Sequence, residues 1–256
     1  MSSSIQVSIG HVAASLVLVA VAIAVSRWRR AELEQDIAVA TIRSLIQLTA
    51  IGYAIELIFE ADTIWLVLAL LAVMVLFGAI TARARARKVP DAFVTLLIAL
   101  TTAGAATLGL VVALGIFDPT PRYLVPVGGM VIGNAMTASA VALNRLGDEI
   151  GDSRAMIEAT LSLGATAQEA AAPIVRRALR SGMIALVDST KTTGLIFFPG
   201  TMVGMLLAGA DPTDAVRLQL ILLYSLLGSV AISALVATTL SYRNFFTPAQ
   251  QLRDRA

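Results

Sequence analysis

An all-α bundle of about seven membrane-spanning helices is the fold class this sequence predicts, and three observations predict it. Of its 256 residues, 57% are hydrophobic and only 14% charged, with a mean hydropathy of +0.83. A soluble domain carries about 25% charged residues, so this much apolar surface calls for lipid around it. Seven runs are each apolar over about 20 residues, the length a helix needs to cross hydrocarbon. Turns rich in Asp, Glu and Pro separate several of them. Residues 1–256 therefore read as one transmembrane domain.

The first span is expected near residues 5–25. Its basic cluster, Arg27, Arg29 and Arg30, follows the apolar run, whereas a secretory signal carries its charges in front. This predicts a retained helix with its N-terminus outside. Four spans are expected near 37–59, 63–81, 93–116 and 123–143, with turns at Glu60-Ala61-Asp62 and Asp118-Pro119-Thr120-Pro121. The last two fall near 183–209 and 217–241, joined by Asp211-Pro212-Thr213-Asp214. All 19 Lys and Arg except Arg43, Arg122, Lys191 and Arg217 flank one set of span ends, from Arg27 through Arg83 and Arg176 to Arg255. Basic residues mark the cytoplasmic side, which puts the C-terminus in the cytoplasm and the chain in the inner (plasma) membrane as a multi-pass protein. The opposite turns are acidic, at Glu60, Asp62, Asp118, Asp211 and Asp214. They are either ordinary solvated turns or a mouth that favours cations.

Several chemistries are excluded outright. With no cysteine there is no disulfide, thiolate ligation or cysteine nucleophile, and His11 alone cannot build a multi-histidine metal site. Neither Lys88 nor Lys191 follows the glycines of a phosphate-binding loop, so any ATP hydrolysis belongs to another chain.

Residues 144–182, between the fifth and sixth spans, are the one long polar stretch. A helix carrying Glu158 and Ala159 should run to Leu163 and break at Gly164. A second should start at Thr166, because Thr166 and Glu169 have the spacing of a reciprocal capping pair. It then continues through Pro173, where its register is expected to be disturbed, to Arg176, Arg177 and Arg180, as a helix at the membrane surface. Glu-Ala followed by Gly in this loop resembles the EAA loop of bacterial ABC permeases. In those proteins a bent helix pair seats in the ATP-hydrolysing subunit. That resemblance assigns Glu158, Ala159, Gly164, Thr166 and Glu169 to ATPase coupling.

The sixth span extends the likeness. Lys191-Thr-Thr-Gly-Leu195, Pro199-Gly-Thr-Met-Val-Gly204, Leu207-Ala-Gly209 and Asp211-Pro212 together resemble the FetB-type iron-export permease family, which takes in the plant aluminium-tolerance half-transporters. Runs at Gly128–Met136 and Arg43–Leu48 fit the same pattern, so the likeness covers about residues 36–252. It implies the permease of an ATP-binding-cassette exporter linked to iron or metal homeostasis. No cofactor is expected in this chain. ATP and Mg are expected in a separate ATPase partner, and the other partners are a second permease copy and the bilayer, not nucleic acid.

Polar residues inside spans cost roughly 2.5–3.5 kcal/mol each when charged, so they face partners or water-filled paths. Asp188 and Lys191, three apart, form either a salt bridge near the cytoplasmic rim or part of a substrate path. Pro199 and Gly200 should interrupt the sixth helix, where freed carbonyls can line a cavity. Arg43 and Gln47 share a face of the second span, beside the path or a dimer seam. Glu56 and Glu60 share its outer end as paired oxygens or a solvated rim. Asn134 reads as interhelical glue or ligand, and Met130, Met136, Met202 and Met205 as packing or soft-metal ligands. Gly194, Gly200, Gly204 and Gly209 read as close-packing positions. A metal cargo would meet mainly oxygen donors, favouring a hard ion or a complex. The rival to an ATP-driven permease is a secondary transporter using Asp188, Lys191 and Arg43 without an ATPase; an intramembrane enzyme lacks a paired nucleophile and base.

Overall fold

The computed structural model describes residues 9–61 and 63–253. The expected start of the first span, and Asp62 and Arg255, lie outside the described residues. Helices dominate the rest: α1 (Ile9–Arg29), α2 (Glu34–Ala61), α3 (Ile64–Arg85), α4 (Ala92–Ala113), α5 (Pro121–Asp152), α6 (Arg154–Ser162), α7 (Ala167–Thr192), α8 (Gly200–Leu207) and α9 (Pro212–Ser241). A 3₁₀ turn, Tyr242–Phe245, follows α9. Among the described residues, six helices (α1 to α5 and α9) are long and apolar enough to cross a membrane. The seventh expected segment, 183–209, is not one helix: it divides between α7, an irregular stretch and α8.

Helix starts follow local chemistry. Pro121 opens α5 and Pro212 opens α9, positions where the missing N–H costs nothing. Asp211 caps α9 by accepting from the Thr213 N–H at 2.8 Å. The α1–α2 turn closes on Ser26, whose hydroxyl donates to Glu34 Oε1 and accepts from the Leu33 N–H.

The fifth helix is the hub, packing against α3, α4, α7 and α9. The main core joins Leu96, Leu100, Leu143, Leu146, Ile157 and Ile174, all of them fully buried. Small residues let the backbones close up. An ideal Cβ on Gly182 of α7 would stand 2.7 Å from the Ala138 carbonyl oxygen of α5. Hydroxyls stitch α9 to α5: Ser229 Oγ donates to the Val131 carbonyl and Ser233 Oγ to that of Ala135. α1 packs on α2, and α2 meets the bundle where Ile58 clusters with Val67, Leu124 and Val125.

Residues 144–182 are more helical than expected. α5 runs on to Asp152, and α7 passes Pro173 unbroken into the apolar segment instead of ending as a separate surface helix. Charge pairing explains the extension of α5. Glu149 sits between Arg145 Nε, at 2.7 Å, and Arg177 of α7, while Asp148 pairs with Lys88 from the α3–α4 turn.

Candidate functional site

Two constructions occupy the bundle: a bent helix pair at one end and a polar belt halfway along. The bend reproduces the expected chemistry. α6 ends at Ser162, and Gly164 takes φ of +90°, a conformation that a side chain would oppose. Thr166 Oγ1 accepts from the Glu169 N–H, while the Thr166 N–H donates to Glu169 Oε2 at 2.8 Å. The Thr166 N–H foremost, and then the Thr166 hydroxyl, donate to Glu169 Oε2 and hold its carboxyl below its ordinary range. The bend is anchored from beneath by Ile157, fully buried against the core that contains Ala170 and Ile174. On top, Glu158 is exposed and pairs with Arg154 at 2.8 Å, and Ala159 is exposed beside it.

Sequence reasoning passed over three features of this end. Leu163, at the tip of the bend, is 89% exposed, an apolar knob outside the apolar spans. Glu149, buried at 6%, clamps α5 to α7 through Arg177, while Arg145 of its own helix holds its other oxygen. The segment after α9 folds back over the bend: Gln250 Oε1 accepts from the Ala167 N–H at 2.9 Å, and Arg154 Nη1 donates to the Arg253 carbonyl at 3.1 Å. The apolar residue before a turn glycine was a readable signal for Leu163. The other two depend on contacts remote in sequence.

The polar belt is read from helix registers. Gly182 abuts Ala138 and Ala142, and the next six residues of α7 rise about 9 Å along the antiparallel α5. This brings Asp188 level with Asn134. Asp188 Oδ1 and Lys191 Nζ pair at 2.9 Å with both side chains more than half exposed. Asn134 Nδ2 donates to the Met130 carbonyl of its own helix. On α2, counting back from Ile58 puts Gln47 about 16 Å below the Leu124–Val125 contact, near the depth of Asn134, and Arg43 about 22 Å below it, roughly 8 Å deeper. Both are exposed, and neither side chain makes a hydrogen bond or ion pair to the described residues. Asp188, Asn134 and Gln47 thus share a level without touching across it, and Arg43 lies about a turn and a half nearer the bend's end.

Beyond the belt the chain is irregular from Thr193 to Phe198, and Pro199 stands as the N-cap of α8 with Gly200 its first residue. The break begins before Phe198, at the residue after Thr192, because Gly194 turns at φ +86° and donates its N–H to the Phe197 carbonyl. Leu195 and Ile196 are exposed at 90% and 78%. The reading of the four glycines as packing positions is corrected here: Gly194 and Gly209 hold positive φ, and a Cβ on Gly200 or Gly204 would meet nothing within 4 Å. Met202 is half-buried, and Met130 Sδ lies 4.0 Å from Thr201 Oγ1, bringing α8 onto α5. Glu56 and Glu60 are exposed at the far end of α2. Among the described residues no three His, Cys, Asp or Glu side chains cluster to hold a metal ion.

Known proteins share this pattern over nearly the full length. The model of an uncharacterised protein family, UPF0014, matches residues 9–246. The chain is 38% identical to the UPF0014 membrane protein STAR2 of Oryza sativa subsp. japonica, over 94% of this chain and 85% of that protein. It is 37% identical to Protein ALUMINUM SENSITIVE 3 of Arabidopsis thaliana, over 94% and 88% of the two chains. To the probable iron export permease protein FetB of Escherichia coli (strain K12) it is 35% identical, over 94% and 93%. No solved structure matches it.

Proposed function

This chain belongs to the UPF0014 family of membrane proteins, and from that premise we propose that it is the permease of an ATP-driven exporter serving iron or metal homeostasis. It is a membrane permease by family, and a relative carries the name of a probable iron export permease. The observation that carries the ATP-driven reading is the capped bend between α6 and α7, with Leu163 exposed at its tip and Glu158 beside it. The capped bend is rigid, and its exposed tip offers an apolar side chain with a carboxylate beside it for a partner's cleft to seat. That partner is a separate ATPase subunit, whose closure on ATP would tilt α7 and, through Glu149, α5.

Orientation follows from charge: the bend and the C-terminus face the cytoplasm, and the acidic α2–α3 and α8–α9 turns face outside. Two copies of the chain form the working permease. The polar belt and the irregular 193–198 backbone then line the path between them, because unpaired backbone and charge do not face lipid. The cargo passes Asp188, Lys191, Arg43 and Gln47, with Glu56 and Glu60 at the exit. Within this reading the chain rearranges and does no chemistry of its own.

The test is whether an ATP-hydrolysing subunit co-purifies with the chain, followed by metal uptake into everted vesicles holding both subunits. Glu158→Lys and Leu163→Asp are each expected to cut ATPase retention and uptake at least tenfold. Uptake by this chain alone, insensitive to ATP, would establish the gradient-driven transporter in its place.

A further inference from the structure

The segment after α9 touches every piece of the bend's end of the bundle. Asn244 Nδ2 donates to the Pro90 carbonyl in the α3–α4 turn at 3.0 Å. Phe246 is buried and, with Leu252, joins the core that holds Ile157 and Ile174. A small reverse loop follows, closed by the Thr247 N–H on the Gln251 carbonyl and the Arg253 N–H on the Phe245 carbonyl, both 2.8 Å. At its crest Gln250 adopts φ of +60°. The hydrogen bonds that pin the loop on both flanks hold the residue in that sparse region. Its amide oxygen accepts from Ala167, the first residue of α7, whose N–H has no partner within the helix. Arg154, the first residue of α6, donates to the Arg253 carbonyl. The loop therefore holds the opening residue of each helix flanking the bend.

We propose that residues 242–253 are a splint that fixes the bend to α9, with Gln250 as the positioning residue that caps α7. This rests on reading the bend as the ATPase handle. Thr166 and Glu169 already satisfy the inner turn of the bend by themselves. The splint adds a connection that local sequence cannot: it makes the angle of the handle answer to α9, which packs along α4, α5 and α7. A push on the bend is then shared by three helices and not absorbed by flexing at Gly164.

The experiment compares Gln250→Lys, which reaches one atom further and offers only donors and a positive charge to a helix N-terminus, with Gln250→Glu, which keeps the length and an acceptor and suits that terminus. Hydrogen exchange is followed across residues 165–172 in the purified permease, and transport and ATP hydrolysis in vesicles with the ATPase. Loss of one hydrogen bond is expected to speed exchange in Gln250→Lys by about fivefold. Transport per ATP should fall several-fold with ATPase retention unchanged, and Gln250→Glu should restore both. Unchanged exchange and transport in Gln250→Lys would overturn the splint, as would loss of the ATPase itself or failure of Gln250→Glu to rescue. If Leu163→Asp and Glu158→Lys also leave ATPase retention intact, the handle reading fails separately, while exchange at 165–172 still decides the splint.

Discussion

Glu149 concentrates the energetics of the α5–α7 joint in one carboxylate. Its side chain is 8% exposed, whereas those of Arg145 and Arg177 are 53% and 50% exposed. The asymmetry decides which partner matters. Removing either arginine leaves the buried carboxylate one good partner, and the lost guanidinium was half in water already. Removing the carboxylate leaves two cations facing each other across the joint, although both can turn outward to solvent. Breaking a fully buried pair costs about 3–5 kcal/mol; with this much solvent at the arginines, Glu149→Ala is expected to cost about 1–3 kcal/mol. Thermal unfolding in detergent should rank Glu149→Ala well below Arg145→Ala and Arg177→Ala. Equal losses for all three would show that the burial of Glu149 is not what matters.

Helix contacts, more than helix propensity, shape the elements. At Gly182 the would-be Cβ meets both a carbonyl oxygen and the Ala142 Cβ at 2.9 Å, and neither can swing aside. Gly182→Ala must therefore part α5 from α7, at about 1–3 kcal/mol, and a lowered unfolding temperature with faster exchange in the bend is expected. Wild-type stability in this variant would mean the two helices slide freely. The same helices explain what the sequence could and could not disclose. The apolar runs, the Thr166–Glu169 cap and the Gly164 bend rest on neighbours within a turn, and each was legible. The full length of α5 was not, because its charged tail is made helical by Lys88 and Arg177, which lie far off in the chain. Hydropathy alone reads 183–209 as one span, since Leu195, Ile196 and Phe197 are as apolar in an irregular stretch as in a helix. Neither could periodicity announce the loop at Gln250, whose partners sit on α6 and α7. Of the candidate site, the belt residues were readable one at a time, but their depths required the Gly182 and Ile58 contacts.

At the scale of the molecule, the direction in which the bundle sits decides whether the bend can meet a cytoplasmic motor. Charge argues for it: the bend's end carries Arg83, Arg85, Arg145, Arg176, Arg177 and Arg180, while the opposite turns carry Asp118, Asp211 and Asp214. Geometry separates the two ends cleanly. α9 spans 30 residues from Pro212 to Ser241, about 45 Å along its axis, enough to put its first turn and the splint on opposite faces of a bilayer. Because the chain has no cysteine, single cysteines report their own position without background. Leu163→Cys, at an exposed tip, should react with a membrane-impermeant maleimide in everted vesicles and stay unlabelled in intact cells. Ala210→Cys, in the α8–α9 turn, should show the reverse. Labelling of Leu163→Cys from outside would leave the bend with no nucleotide-driven subunit to meet, and the broken α7–α8 segment would then have to be moved by an ion gradient acting on Asp188 and Lys191.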